Sequence, residues 1–357
     1  MTNKTPAERS GGDRFGIQRV LGMSRVLPQQ ALKLDASLPI YETEILVEVQ
    51  ALNIDSASFH QIKESCKNDA SKIKEHILEI VKVHGKHQNP VTGSGGMLMG
   101  SIEQIGSRFF DEKKPDVKVG DRVVSLVSLT LTPLFLKKIN TVYLKHGRAD
   151  VEGEAIFFQS GVYSKIPSDI PEGVCLAALD VCGAPAHVKN ICRPGDTVAI
   201  IGGAGKSGIL SLFAARQAIG KDGLIIALDY SPAALQEIKE LAIADVVEVC
   251  NAQDAVPTYE LVKKMTNNKM ANVVINLANV PNTEMASILC AKPDGIVYFF
   301  GMATSFTRAA LGAEGVASSA KLMIGNGYAH GHAEYTLQIL RESKEIRKVF
   351  ENRYGAS

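Results

Sequence analysis

The sequence predicts an α/β protein in two parts: an irregular β-rich part first, then a part built on a doubly wound parallel sheet. Three observations carry this. The chain has 357 residues, and at roughly 100–200 residues per domain that length suits two domains. Up to about residue 187, short β-like runs are separated by turns. From residue 194 onward, apolar runs alternate with helix-length segments, the pattern of βα units whose strands are buried on both faces.

In the first part the β-like runs are 45–49, 100–105, 122–127 and 162–166. Among them, the charged segment 66–83 carries Ile73, Ile77, Ile80 and Val81 at helical spacing, followed by Gly85 as a C-cap. This predicts one amphipathic helix. In the second part the apolar runs are 198–201, 224–228, 246–249, 273–277 and 296–300.

Composition narrows the partners. Lys and Arg number 39 against 38 Asp and Glu, a formal net charge of +1, whereas proteins that bind phosphate backbones carry a basic excess. Nucleic acid is therefore not an expected partner. No run approaches the roughly 18 apolar residues of a membrane span, and the N-terminal segment lacks the apolar core of a signal peptide. The six cysteines show no CxxC spacing, so they read as reduced, mostly core-filling thiols. A cytoplasmic protein with no membrane partner is expected.

The motif richest in chemistry opens the second part. The turn 193–196 leads into a strand at 197–201, then Gly202-Gly203-Ala204-Gly205-Lys206-Ser207-Gly208, then a helical apolar pattern over 209–219. Gly203, Gly205 and Gly208 fit GxGxxG: one glycine for the tight turn, one for approach of a pyrophosphate, one for close helix–strand packing. The pyrophosphate would rest on the helix N-terminus. About twenty residues further on, Asp229 ends the next strand, placed to accept hydrogen bonds from adenosine ribose hydroxyls and to repel a 2′-phosphate. The expected cofactor is NAD, with NADP weaker, held by Gly203, Ala204, Gly205, Lys206, Ser207, Gly208, Asp229 and Tyr230. The Gly205-Lys206-Ser207 stretch imitates the end of a P-loop, but that motif needs glycine where Ile200 stands.

A β domain followed by a Rossmann unit resembles the medium-chain dehydrogenase/reductase superfamily. The resemblance rests on residues 45–55 as its first catalytic strand and the loop into the active site, and on Gly100-Ser101-Ile102-Glu103-Gln104-Ile105-Gly106 for its GxVxxxG strand. Val119-Gly120-Asp121-Arg122-Val123 and Lys165-Ile166-Pro167 match its VGDRV and KIP turns. It implies a catalytic domain at 1–187, completed by 326–357, and a Rossmann dinucleotide-binding domain at 188–325. Zinc members of the superfamily hold their metal on Cys, His and Cys or Asp. Here the first position matches Asp55, the His-Glu pair falls near Gly96 and Met97, and Cys182 matches the last. A catalytic zinc needs three protein ligands plus water, so the resemblance implies a zinc-free enzyme.

An alcohol substrate without a metal lacks the Lewis acid that lowers its hydroxyl pKa. An amine needs none, because its own lone pair drives hydride loss, but it must first shed a proton from an ammonium of pKa about 10. Acidic side chains suit that task. Asp55 is the candidate base, with Ser56 as a proton relay, and Asp180 is the candidate for an ammonium, since a charge in its apolar surroundings requires a partner. Capping of the following turn remains the alternative role for Asp55 and Ser56, and hydrogen-bonding structural roles remain open for His60 and His187. The Gly-rich stretch 89–100, together with 178–185, resembles the family of L-erythro-3,5-diaminohexanoate dehydrogenases. That resemblance implies NAD-linked oxidative deamination of a small diamino acid in lysine fermentation, by a homodimer or homotetramer. The alternatives are a zinc-free quinone or enoyl reductase of the same superfamily and a nucleotide-binding protein without chemistry.

Overall fold

The protein is described by a computed structural model covering residues 7–91, 93–111, 115–145, 147–325 and 327–355. The chain divides into two compact units, Met1–Ser168 and Asp169–Ser357.

In the first unit, β1 (Val20–Leu21) and β2 (Lys33–Leu34) form a small antiparallel ribbon. Then follow β3 (Glu44–Asn53), α1 (Ser56–Ser65), α2 (Ala70–His84), β4 (Met97–Ile105), β5 (Arg122–Ser125), β6 (Leu134–Tyr143), β7 (Arg148–Phe158) and β8 (Tyr163–Lys165). Among the described residues these strands make one antiparallel sheet in the order β6-β7-β3-β4-β5-β8. Strand β3 lies inside it. Alternate residues Ile45, Val47 and Val49 turn one face into the core, where Ile73, Ile77 and Val81 of α2 meet Phe59 and Ile62 of α1. Asp69 caps the first turn of α2, accepting from the Ser71 and Lys72 N–H groups, and Gly85 ends it at φ 63°. The expected helix is therefore present, and α1 is added to it. The β6–β7 hairpin escapes a search for alternation because its register shifts between Leu136 and Lys138 and again between Ile139 and Thr141.

The second unit begins with α3 (Glu172–Leu179) and α4 (Gly183–Ile191). The βα alternation follows: β9 (Thr197–Ile201), α5 (Lys206–Ile219), β10 (Leu224–Asp229), α6 (Pro232–Leu241), β11 (Val246–Val249), α7 (Ala255–Met265), β12 (Ala271–Asn276), α8 (Glu284–Cys290), β13 (Ala291–Phe299), α9 (Phe306–Gly315) and β14 (Lys321–Ile324). The parallel strand order is β11-β10-β9-β12-β13-β14. The order reverses between β9 and β12, so the C-terminal end of β9 opens at the switch point where doubly wound sheets bind ligands. Val198, Ala199 and Ile200 of β9 are fully buried, as the unbroken apolar run requires.

The unit ends with α10 (His332–Glu342) and α11 (Lys344–Tyr354). These helices and α3 belong to the same compact unit as the parallel sheet, and the division by compactness falls after Ser168. The physical reason lies in α3, whose residues Gly173 to Leu179 are all buried; a helix apolar all round needs cover on every side. Arg341 of α10 forks onto the Asp169 carboxylate at 2.7 and 3.0 Å, and Lys189 of α4 stands over the Tyr335 ring at 4.2 Å. Among the described residues no helix is long and apolar enough to cross a membrane.

Candidate active site

In the second unit the glycine loop is shaped as its motif demands. Gly202 turns the chain out of β9 at φ 80°. A Cβ on Gly208 would lie 2.3 Å from the Gly203 carbonyl oxygen and 2.4 Å from that of Gly202, so only glycine lets α5 approach the turn this closely. Gly205 is the N-cap of α5 and supplies no side-chain cap, which leaves first-turn N–H groups available to an anion. Such a cradle fits the pyrophosphate of a dinucleotide.

The peptide groups flanking Ala204 are held from two sides. Its N–H donates to Asp229 Oδ2 at 3.1 Å, and its carbonyl accepts from Arg353 Nη1 at 3.0 Å. Arg353 also pairs with Glu237 of α6. The other oxygen of Asp229 accepts from the Ser231 N–H at 3.2 Å, and Tyr230 beside it is 76% exposed. Ser207 is half-buried in the first turn of α5.

Asp180 and Lys206 are brought together. The sequence assigns Asp180 to a substrate ammonium because a carboxylate in its apolar run needs a cation. The structure supplies that cation from the chain itself: Lys206 Nζ donates to Asp180 Oδ2. The pair joins the end of α3 to the glycine loop. Cys182 is buried, and burial pushes its thiol pKa well up, so it is held as the neutral thiol. His187 Nε2 donates to the Tyr328 carbonyl at 2.9 Å, and its ring lies beside that of Tyr298.

In the first unit Asp55 is the N-cap of α1. Its Oδ1 accepts from the Ser58 N–H at 2.9 Å, and its Oδ2 accepts from Ser94 Oγ at 2.5 Å. The Ser94 and Ser58 hydroxyls are 2.9 Å apart. Ser56 begins α1, and its side chain lies outside the described residues. His60 is exposed and pairs with Glu64 one turn away at 3.2 Å. Behind the cluster, His87 is fully buried, its Nδ1 3.0 Å from the Gly95 carbonyl. Burial pushes its pKa below the ordinary imidazole value, against the pull of Asp55. Lys86 beside it is also buried, its ammonium donating to the carbonyls of Pro28, Gln29 and Thr130. Desolvation lowers its pKa to about 8. Among the described residues no three of His, Cys, Asp and Glu gather as a metal site.

Ser58, His87, Ser94 and Arg353 were not among the residues expected from sequence. Ser94 stood in a stretch already singled out for its glycines, but nothing in its spacing ties it to a residue 39 positions away. Arg353 lies in an ordinary charged helix, 149 positions from Ala204.

The N-terminal domain model of L-erythro-3,5-diaminohexanoate dehydrogenase matches residues 18–167. A relative bearing that name, from Acetoanaerobium sticklandii, is 48% identical over 96% of this chain and 99% of its own length. The chain belongs to the L-erythro-3,5-diaminohexanoate dehydrogenase family. A second relative of that name, from Fusobacterium nucleatum, is 45% identical over 96% of this chain and 99% of its own. Membership of this family makes the chain an oxidoreductase with a small-molecule substrate, as the resemblance implied. A solved mycobacterial quinone oxidoreductase has a TM-score of 0.54 at 19% identity, covering 90% of this chain and 84% of that one. AibC has a TM-score of 0.54 at 17% identity, covering 85% and 82%. At such identities the likeness is one of fold, and it agrees with a β-rich domain followed by a Rossmann unit.

Proposed function

We propose that the chain oxidises L-erythro-3,5-diaminohexanoate with NAD, giving 5-amino-3-oxohexanoate and ammonia, as a step of anaerobic lysine degradation. The observation that carries this reading is Asp55, a half-buried carboxylate in the segment where zinc alcohol dehydrogenases place their first metal ligand. It is fixed by the Ser94 hydroxyl and the Ser58 N–H of α1.

When bound, NAD supplies a hydride acceptor for the substrate C3–H. The glycine loop, Gly203 to Gly208, holds the pyrophosphate, and Asp229 holds the adenosine ribose, with Tyr230 exposed beside it. Asp55 takes one proton from the C3 ammonium, freeing the nitrogen lone pair. Loss of hydride from C3 then leaves an iminium, and water adds to it to give the ketone and ammonium. The developing positive charge sits on the substrate nitrogen, whose own lone pair drives hydride loss, so no Lewis acid is required. The Lys206–Asp180 pair holds the glycine loop to α3.

The test sets 3,5-diaminohexanoate, secondary alcohols, α-amino acids and enones side by side, following NADH and ammonia together after treatment with a chelator. The diamino acid alone should react, releasing one ammonia per NADH. An inert diamino acid with an active alcohol or enone would overturn the reading.

A further inference from the structure

We propose that Ser94 is a positioning residue for this reaction, and that the Gly-rich segment standing where the superfamily keeps a metal-ligand pair exists to bring its hydroxyl onto Asp55. The proposal rests on the reading of Asp55 as the base.

The loop is folded tightly enough to need its glycines. A Cβ on Gly96, at φ 90°, would lie 2.2 Å from the Asn53 carbonyl oxygen, and one on Gly95 would lie 2.5 Å from the His87 carbonyl oxygen. The loop therefore presses against the end of β3, next to Asp55. It is also closed on itself. The Asn89 N–H donates to the Ser94 carbonyl and the Gly93 N–H to the Asn89 carbonyl, both at 2.8 Å. Asn89, fully buried, reaches across with Nδ2 to the Ser58 carbonyl at 3.3 Å and to Gln61 Oε1 at 2.9 Å, tying the loop to α1. His87 binds the Gly95 carbonyl from the other side.

The product of all these ties is one contact, Ser94 Oγ to Asp55 Oδ2 at 2.5 Å. With the Ser58 N–H on Oδ1, both carboxylate oxygens are fixed, so the rotation of the base is set before substrate arrives. Ser58 Oγ, buried behind Ser94 at 2.9 Å, orients the serine hydroxyl in turn.

The test is a double-mutant cycle on the full chain with NAD and the diamino acid. Ser94→Ala should lower kcat roughly tenfold to hundredfold, the range for one hydrogen bond to a charged group. The KM for the diamino acid should change far less than kcat, and NADH affinity by fluorescence should be unchanged. Ser94→Thr, which keeps the hydroxyl, should restore the rate. In an Asp55→Asn background, whose turnover is already low, Ser94→Ala should add no further loss, because it acts through Asp55. If Ser94→Ala loses NADH binding through misfolding, Ser94→Cys keeps the volume with a weaker donor and carries the same test. An equal loss from Ser94→Ala in both backgrounds, or a loss that falls on the KM for the diamino acid rather than on kcat, would overturn the positioning role alone. Full activity in Asp55→Asn would overturn the reading of Asp55 as base, and the positioning role with it.

Discussion

Arg353, in the last turn of α11, donates to the carbonyl of Ala204, the residue between the first two glycines of the GxGxxG loop, at 3.0 Å. The Ala204 N–H is held by Asp229. The C-terminal helix and the end of β10 thus clamp one residue of the nucleotide loop from opposite sides, and Glu237 holds the guanidinium in place.

Removing that clamp should be felt by the cofactor and not by the amine. Arg353→Ala deletes one hydrogen bond, worth about 1 kcal/mol, and lets the loop relax. The KM for NAD should rise roughly fivefold, while the KM for the diamino acid holds. Steady-state kinetics with each substrate varied in turn checks this; a rise confined to the amine KM would remove Arg353 from the cofactor site.

On the proposed reading, cofactor choice rests on Asp229. Its carboxylate ends β10 with one oxygen on the Ala204 N–H and the other on the Ser231 N–H, which fixes it where the proposed reading puts the adenosine ribose. The parent should bind NADH more tightly than NADPH, and Asp229→Ser should narrow or reverse that order. The same substitution removes the contact that holds Ala204, so some affinity for both cofactors should be lost. Fluorescence titration with the two reduced cofactors measures both effects, and tighter NADPH binding by the parent would end the assignment.

The parallel sheet was legible in the sequence because its central strands β9, β10 and β12 are largely apolar and mostly buried, and the glycine loop because its spacing is a backbone requirement. The antiparallel sheet was legible only where alternation stays in register. Strands β6 and β7 escaped because two shifts in their pairing break the pattern. At the candidate site, Asp55 was singled out because its neighbours in sequence resemble those of a known strand and loop. Its partner Ser94 was not, since that contact depends on Gly95 and Gly96 folding the loop back onto β3 and the 87 segment. Asp180 was recognised as a carboxylate in need of a cation, yet the sequence could not supply the partner, because Lys206 reaches it only once α3 lies against the glycine loop. Sequence periodicity reports one element at a time, and these contacts join several.

His87 makes the first unit sensitive to acid. Its ring is fully buried, its Nδ1 meets the Gly95 carbonyl, and its Nε2 finds no hydrogen-bond partner among the described residues. Burial lowers its pKa from the ordinary 6.5. Folded, it stays neutral at a pH where the unfolded imidazole has taken a proton. The unfolded state then binds more protons, so stability rises with pH through this window and falls on acidification below about 6.5. His332 in the second unit is shifted the same way, by burial first, and adds a loss of the same sign there. Replacing His87 by glutamine keeps a donor for the Gly95 carbonyl and removes the titration. Urea unfolding at pH 7.5 and 5.5, values about one unit either side of the free imidazole, should show the parent losing about 1 kcal/mol more than His87→Gln on acidification. Equal losses in the two proteins would mean that His87 takes up its proton in the folded state, and that the loop around Ser94 accommodates an imidazolium.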